Sequence, residues 1–163
     1  MEFVYNEQDA LQGGTGAFVN TTGAYKGKIT MAKWTVSQNG AEALELSFET
    51  EDGEKVDYLS IYYKGKDGKQ IDFGLKMIQA VMGCAGVKKL TSTQTENALL
   101  CPELVNKAIG LFLQKTLYTK QDGSDGYRFQ IITPFSPQSG KTLAEHKAGE
   151  EAKRIPYLVA TLK

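Results

Sequence analysis

The sequence is poor in the residues on which most enzyme and metal sites depend. It holds one histidine, His146, and two cysteines, Cys84 and Cys101, among 163 residues. A single histidine supplies neither a common zinc site nor a convincing catalytic triad. Two distant cysteines form neither a disulfide framework nor a metal cage, so we expect each to be a small buried side chain in a reducing compartment. The sequence therefore predicts no catalytic residue, no metal and no cofactor.

An excess charge of one sign and long apolar runs are also missing. Lys and Arg together number 19, as do Asp and Glu, so the formal net charge is zero. Any electrostatic binding therefore has to come from a local patch. No apolar run approaches the roughly 20 residues of a membrane span, and the N-terminus lacks a basic-then-apolar signal. These absences predict a soluble intracellular protein without a membrane partner.

The chain is organised around one helical pattern, at Asp72–Gly83. Leu75, Ile78 and Met82 recur at three- and four-residue spacing and form an apolar stripe. Asp72 is expected to cap the first turn, because its carboxylate can accept hydrogen bonds from exposed amides, and Gly83 is expected to end the helix.

Alternating apolar and polar residues predict strands on both sides of this helix. Three precede it and two follow it: Gly23–Val36, Ala43–Thr50, Lys55–Lys64, Lys107–Lys120 and Gly126–Phe135. Gly27, inside the first strand, predicts a bend or a close backbone approach. This order matches a mainly β fold, the five-stranded oligonucleotide-binding (OB) barrel with one helix between strands 3 and 4. A plain β-sandwich stays open, because alternation does not distinguish a closed sheet from two packed sheets.

The chain then divides into three parts. Residues 1–22 form a flexible N-terminal arm, 23–136 the OB-fold single-strand-binding domain, and 137–163 a polar C-terminal tail with a short helix at Leu143–Arg154. Ser139–Thr142 (SGKT) is similar to the end of a phosphate-binding loop. That loop needs an earlier glycine where this chain has Phe135, so we interpret the segment as a surface turn.

Alternation also places aromatic and basic residues on the outer face of the strands. The proposed stacking residues are Trp34, Tyr58, Tyr62 and Phe112, and the proposed phosphate contacts are Lys26, Lys28, Lys64, Lys66 and Arg128. Rings that stack on bases contribute roughly 1–3 kcal/mol each, and basic residues that follow the phosphates complete a sequence-tolerant site. The alternative is that these rings pack beneath the helix, the tail or a partner subunit.

Gly110–Thr142 resembles a segment of bacteriophage-encoded single-stranded-DNA-binding proteins. The similar elements are Leu113–Lys115, the hairpin at Tyr118, Gly126–Arg128, and Phe-x-Pro followed by Ser-Gly-Lys-Thr. The resemblance implies an OB barrel without enzymatic activity that coats single strands in phage DNA replication or recombination, in the cytoplasm of the bacterial host cell. It also implies replication or recombination proteins as partners. The chain departs from many such proteins because it ends Ala160–Lys163 instead of in an acidic tail.

Several alternatives fit the same residues. RNA can replace DNA on a stacking platform, because no reader of the 2′-hydroxyl is identifiable. An exposed strand edge or the N-terminal arm can pair subunits into a homodimer, and a monomer fits equally well. The second functional hypothesis is a non-catalytic protein-interaction or assembly module of a phage, built on a β-barrel or β-sandwich. An enzyme is the third, and it would depend on His146 or on the acidic hairpin around Glu51.

Overall fold

The computed structural model describes residues 1–7, 10 and 18–162. The strands are β1 (Gly23–Val36), β2 (Glu42–Thr50), β3 (Lys55–Lys64), β4 (Thr93–Gln94), β5 (Leu99–Leu100), β6 (Ala108–Thr119) and β7 (Asp125–Phe135). The helices are α1 (Asp72–Ala85), α2 (Leu143–Ala148) and α3 (Arg154–Ala160), with a 3-10 turn at Pro102–Leu104. The predicted mainly β fold is confirmed, and so is a helix between the third and fourth long strands. No helix within the described residues is both long and apolar enough to cross a membrane.

The strands form one antiparallel sheet, and β1 belongs to both halves of it because it pairs with β6 and with β2. The order is β3-β2-β1-β5-β4, and β6 pairs with both β1 and β7. The first part of β1 pairs with β6, and the part from Gly27 to Val36 pairs with β2. β3 and β7 lie side by side, but no pairing joins them within the described part of the chain. The sheet is therefore not closed.

Gly27 allows β1 to pair with β2 and β6 at the same position. It lies opposite Thr50 of β2 on one side and Ile109 of β6 on the other. A Cβ atom at this position would lie 2.0 Å from the carbonyl oxygen of Glu49, so a side chain would force the backbones apart. The close backbone approach predicted at Gly27 is confirmed.

The main core lies between the inner face of the sheet and α1. Its fully buried members include Ile29, Leu44, Leu46, Phe48, Leu59, Val81, Leu104, Ile109, Leu111 and Leu113. A second, smaller cluster lies on the other face of β6, where Phe112 and Phe135 pack against Ile155 of α3. Each buried apolar side chain contributes roughly 1.5–3 kcal/mol relative to exposure, so α3 is held to the sheet by this second cluster.

α1 differs from the predicted helix at both ends. Its N-cap residue is Ile71 and no side chain caps it, so the predicted cap by Asp72 is wrong. Asp72 lies in the first turn instead, where its negative charge interacts favourably with the positive end of the helix dipole. The helix continues through Gly83 to Ala85 and ends at Gly86, whose φ of 73° is in the left-handed region. At Gly83 a Cβ atom would lie 2.5 Å from Leu143, so this glycine serves helix packing.

The C-terminal segment contains two short helices, where one was predicted. A turn lies at 137–139, so the predicted surface turn at Ser139–Thr142 is confirmed only at its start. Thr142 is buried and caps α2 in a reciprocal capping box with Glu145. One carboxylate oxygen of Glu145 accepts from the Thr142 N–H at 3.0 Å. The other accepts from the N–H groups of Lys153 and Arg154, at 2.7 Å and 2.9 Å. These bonds, that of Thr142 first, lower the pKa of Glu145 to about 2 and join α2 to the start of α3.

The predicted N-terminal arm meets the sheet at its end. The Val19 N–H donates to the Lys55 carbonyl at 2.9 Å, and Phe18 forms a parallel bridge with Lys55. Val19 is buried in the main core. Residues 8, 9 and 11–17 of the arm lie outside the described residues.

Candidate nucleic-acid interface

A groove of about 390 Å³ opens between the start of β3 and the first half of β7. It forms where the two strands run side by side without pairing. We call it the aromatic groove, and its lining includes Phe18, Lys55, Tyr58, Tyr118, Tyr127 and Arg128. All four of these aromatic rings are substantially exposed. A contiguous group of exposed aromatic side chains is typical of an interaction site.

Tyr58 lies on a β-bulge of β3. Leu59 lies opposite Leu46 and Val56 opposite Phe48, so two residues, Asp57 and Tyr58, occupy one position of the ladder. Tyr58 has a φ of 61°, a left-handed conformation that costs a bulky residue roughly 1–3 kcal/mol. Its side chain is nevertheless 75% exposed. A strained backbone that holds a ring in solvent motivates a functional interpretation of this residue.

Tyr118 and Arg128 share one face of the β6–β7 hairpin. Tyr118 lies opposite Gly126, and a Cβ atom on Gly126 would lie 2.6 Å from the tyrosine Cζ. The absence of a side chain at Gly126 therefore lets the ring lie over β7. The Arg128 guanidinium carbon lies 5.8 Å from the ring centroid of Tyr118, within the range of a cation–π contact. This face thus offers a ring and a fixed positive charge together.

Tyr127 lies on the other face of the same hairpin. The Lys115 ammonium group is 4.5 Å from its ring centroid, and the ring packs edge-on against Phe129 with centroids 5.9 Å apart. Both hairpin tyrosines are therefore accompanied by a cation. A base that stacks on either ring would have its phosphate within reach of a positive side chain.

A second cavity, of about 200 Å³, continues along the same two strands. Tyr62 of β3 and Phe73 of α1 border it and are both exposed, and Gln130 of β7 also lines it. Since side chains two or four residues apart share one face of a strand, Gln130 lies on the face of Arg128. The two cavities therefore form one strip along the seam between β3 and β7.

The structure brings three of the nine predicted binding residues to this strip, namely Tyr58, Tyr62 and Arg128. Lys64 ends β3 and forms an ion pair with Glu42 at 3.3 Å, and Lys66 follows in the exposed turn. The remaining predicted lysines, Lys26 and Lys28, are exposed on β1 and line neither cavity. Lys28 lies opposite Glu49 of β2, so its surroundings are partly acidic.

The predicted outward position of Trp34 is wrong. A bulge in β1 between Ile29 and Met31 shifts the alternation by one residue. Trp34 therefore shares the inner face with Ala32 and packs on the main core. Its indole N–H donates to the Thr91 carbonyl at 3.0 Å, and its ring packs edge-on against Tyr63 at 5.8 Å.

The predicted role of Phe112 as an exposed stacking residue is also wrong. The ring leaves the main core side of β6 as expected, but it is only 4% exposed because Ile155 and Leu158 of α3 cover it. Phe112 thus follows the alternative drawn from the sequence, in which the outward rings pack beneath the C-terminal tail.

Tyr127 and Lys115 were missed by the sequence reasoning. Alternation grouped Tyr127 with the core residues Phe129 and Ile131, and the strand does continue that pattern. However, β1 pairs with β6 only as far as Leu113. Phe129, opposite Lys115, still belongs to the main core, whereas Tyr127, opposite Leu117, lies beyond it. The polar turn at Gln121–Asp125 is the sequence feature that indicates a hairpin extending into solvent. Tyr127 follows this turn closely and could have been recognised as exposed on that ground.

The two cysteines lie outside the aromatic groove. Burial raises the pKa of the Cys101 thiol to about 11 and also raises that of Cys84, so both stay protonated at neutral pH. Within the described residues, no group of three or more His, Cys, Asp or Glu is arranged to hold a metal ion. The aromatic groove offers ring faces and two cationic side chains, Lys55 and Arg128, beside one acidic side chain, Asp57.

Comparisons with known proteins add no family to this geometry. The chain matches no protein-family model, and it has no significant match among the curated proteins. A functional interpretation therefore rests on the side chains along the seam and on the resemblance of Gly110–Thr142 described above.

Proposed function

We propose that the chain is a non-catalytic, sequence-independent single-stranded-DNA-binding protein whose DNA lies along the seam between β3 and β7. The observation that carries this proposal is the aromatic groove, where Tyr58, Tyr118 and Tyr127 are exposed beside Lys115 and Arg128. Every base has a face that can stack on a ring, and the cations attract backbone phosphates. Neither contact reads the base sequence.

An OB-type barrel is the finer fold that we propose. OB barrels are five-stranded and partly open, and they bind oligonucleotides through strands 2 and 3 and the adjoining loops, including the loop between strands 4 and 5. β1, β2, β3, β6 and β7 would be the five strands, with α1 after the third. The unpaired seam between β3 and β7 fits the open part of such a barrel.

The resemblance extends the proposal to coating of single strands in phage DNA replication or recombination in the host cytoplasm. Tyr118, Tyr127 and Arg128 lie within the similar segment and also line the aromatic groove. Replication or recombination proteins would then be further partners. The buried Phe112 and the inward-facing Trp34 have no part in the proposed interface.

Fluorescence anisotropy of labelled oligo-dT tests this proposal. We expect Tyr58→Ala to weaken binding by about 1–3 kcal/mol, or roughly 5- to 150-fold in affinity. The loss should be similar for oligo-dT and for mixed sequences, because stacking does not read base identity. Tyr62→Ala should weaken binding in the same way. Tyr157→Ala is the matched control, because it removes from α3 a tyrosine whose exposure, 61%, lies between those of Tyr58 and Tyr62, and we expect it to leave the affinity unchanged.

Competitors define the ligand in the same assay. Duplex DNA should compete poorly, since its bases are not free to stack, and single-stranded RNA should compete if the groove accepts either sugar. Failure of the folded wild-type protein to bind oligo-dT at low salt would overturn the proposal. The aromatic groove would then belong to a protein partner, as in the assembly-module hypothesis.

A further inference from the structure

A second groove, of about 600 Å³, lies between α1 and the end of β1. We call it the Trp34 groove, and its apolar lining includes Trp34, Tyr63, Leu75, Ile78, Met82 and Leu90. The indole N–H of Trp34 is already bonded to Thr91, so the groove offers mainly apolar surface. It shares no lining residue with the aromatic groove.

The N-terminal segment presents the complementary surface. Phe3, Val4 and Tyr5 are consecutive and are 91%, 77% and 78% exposed. Large apolar side chains adjacent to one another in solvent mark an interaction segment. In a single chain this segment therefore lies outside the Trp34 groove, and both apolar surfaces face solvent.

We infer that Phe3, Val4 and Tyr5 of one copy of this chain occupy the Trp34 groove of a second copy. The apolar lining of the groove suits the rings of Phe3 and Tyr5. The charges around them are also complementary, since Glu2 and Glu7 flank the segment, whereas the exposed Lys88 and Lys89 precede Leu90 at the groove. Glu42, an acidic side chain that lines the groove, is paired with Lys64 at 3.3 Å.

The length of chain behind the segment permits this exchange. Eleven residues separate Asn6 from Phe18, where the chain is anchored to Lys55 of β3. The Ala10 N–H donates to the Asn6 carbonyl at 3.0 Å, so these two residues lie one helical turn, about 6 Å, apart. The eight steps from Ala10 to Phe18 add at most about 26–29 Å. The segment can therefore reach a neighbouring copy while its own chain stays anchored. In an extended segment, Phe3 and Tyr5 point to one side and Val4 to the other, so the outer two would enter the groove.

Sedimentation equilibrium of the full chain without DNA is the first test. We expect the mass to rise with concentration from 17.9 kDa to at least twice that value. The double variant Phe3→Ser, Tyr5→Ser should stay at 17.9 kDa over the same range, and Val4→Ser should associate nearly as well as wild type. Circular dichroism checks that each variant is folded. A wild-type mass that never rises, or association that survives the double substitution, would overturn the inference.

Disulfide trapping then identifies the groove. One chain carries Tyr5→Cys and a size-tagged second chain carries Ser92→Cys, which replaces an exposed residue that lines the Trp34 groove; both carry Cys84→Ser. Mild oxidation of the mixture should yield a mixed dimer. Asp122→Cys at the β6–β7 turn replaces Ser92→Cys in the control, and it should yield at least tenfold less.

The same trap distinguishes exchange from folding back. Both substitutions in one chain should give dimers and larger species at high concentration. A product that is only an internally linked monomer would overturn the inference, because the segment would then occupy the groove of its own chain. Neither experiment contains DNA, so the result is independent of the function proposed for the aromatic groove.

Discussion

The two halves of the β6–β7 hairpin carry aromatic side chains in opposite environments. In the half that lies beside β1, Phe112 is 4% exposed and packs against Phe135 and Ile155. In the half that extends beyond β1, Tyr118 and Tyr127 are 43% and 45% exposed, each beside a cation. For Tyr118, which shares the face of Phe112, the difference comes from α3, which covers only the first half. Tyr127 lies on the core-side face and is exposed because the hairpin extends beyond β1. Strand alternation predicts that a ring lies on the face away from the core. Whether that ring is exposed to solvent depends on a segment distant in the sequence.

The covered half should therefore stabilise the fold, and the uncovered half should be available for binding. We expect Phe112→Ala to lower the free energy of unfolding by about 3–5 kcal/mol, because it leaves a cavity in a cluster of three large side chains. Tyr118→Ala, six residues along the same strand, should change it by no more than about 0.5 kcal/mol. Urea denaturation of the two variants measures both. Equal effects of the two substitutions would contradict the division of the hairpin.

Glu145 joins the two helices from which this cover comes, so its removal should loosen the covered half. In Glu145→Gln, an amide NH₂ replaces the oxygen that accepts from Lys153 and Arg154, or else the oxygen that accepts from Thr142. Backbone N–H donors then face the amide NH₂ of glutamine, which is also a donor, and their lost hydrogen bonds lower the free energy of unfolding by about 1–3 kcal/mol. We expect a loss of that size at neutral pH, measured by urea denaturation, with earlier proteolysis after Lys153 and Arg154.

Acid should have the same effect on the wild-type protein. Because the folded state holds the pKa of Glu145 at about 2, below the ordinary 4.5, its ionised form favours folding. This contribution is complete above about pH 4.5 and disappears as the pH falls through 2. The pH dependence of unfolding in this range should be shallower in Glu145→Gln than in wild type. Thr161→Ala, near the end of α3, is the control, and its pH dependence should match wild type. An unchanged slope in Glu145→Gln would show that the carboxylate does not hold the cover in place.

Sequence reasoning succeeded where local pattern decides the structure. The long strands and α1 were predicted to within three residues, and Gly27 marked the close approach of β1 to β2, because alternation, helical spacing and glycine act over a few neighbouring residues. The pattern failed at Trp34, where one extra residue in a bulge reverses the two faces of a strand. It failed at Phe112 because its cover comes from more than 40 residues further along the chain. For the candidate site, Tyr58 and Arg128 were found by alternation, but Tyr127 depends on how far the hairpin extends beyond β1.

The smallest expected effect concerns the charge on the uncovered half. If phosphates follow the aromatic groove, Arg128→Gln removes one phosphate contact and should lower the salt dependence of oligo-dT binding by about 0.7 in the slope of log K against log salt. Lys28→Gln is the control, because it removes the same charge from β1, where Lys28 lies opposite Glu49 and lines neither cavity. Its slope should equal that of wild type. Anisotropy titrations at several salt concentrations measure the three slopes. A Lys28→Gln slope that falls as far as that of Arg128→Gln would mean that the strand crosses β1 as well, and that binding is not confined to the seam between β3 and β7.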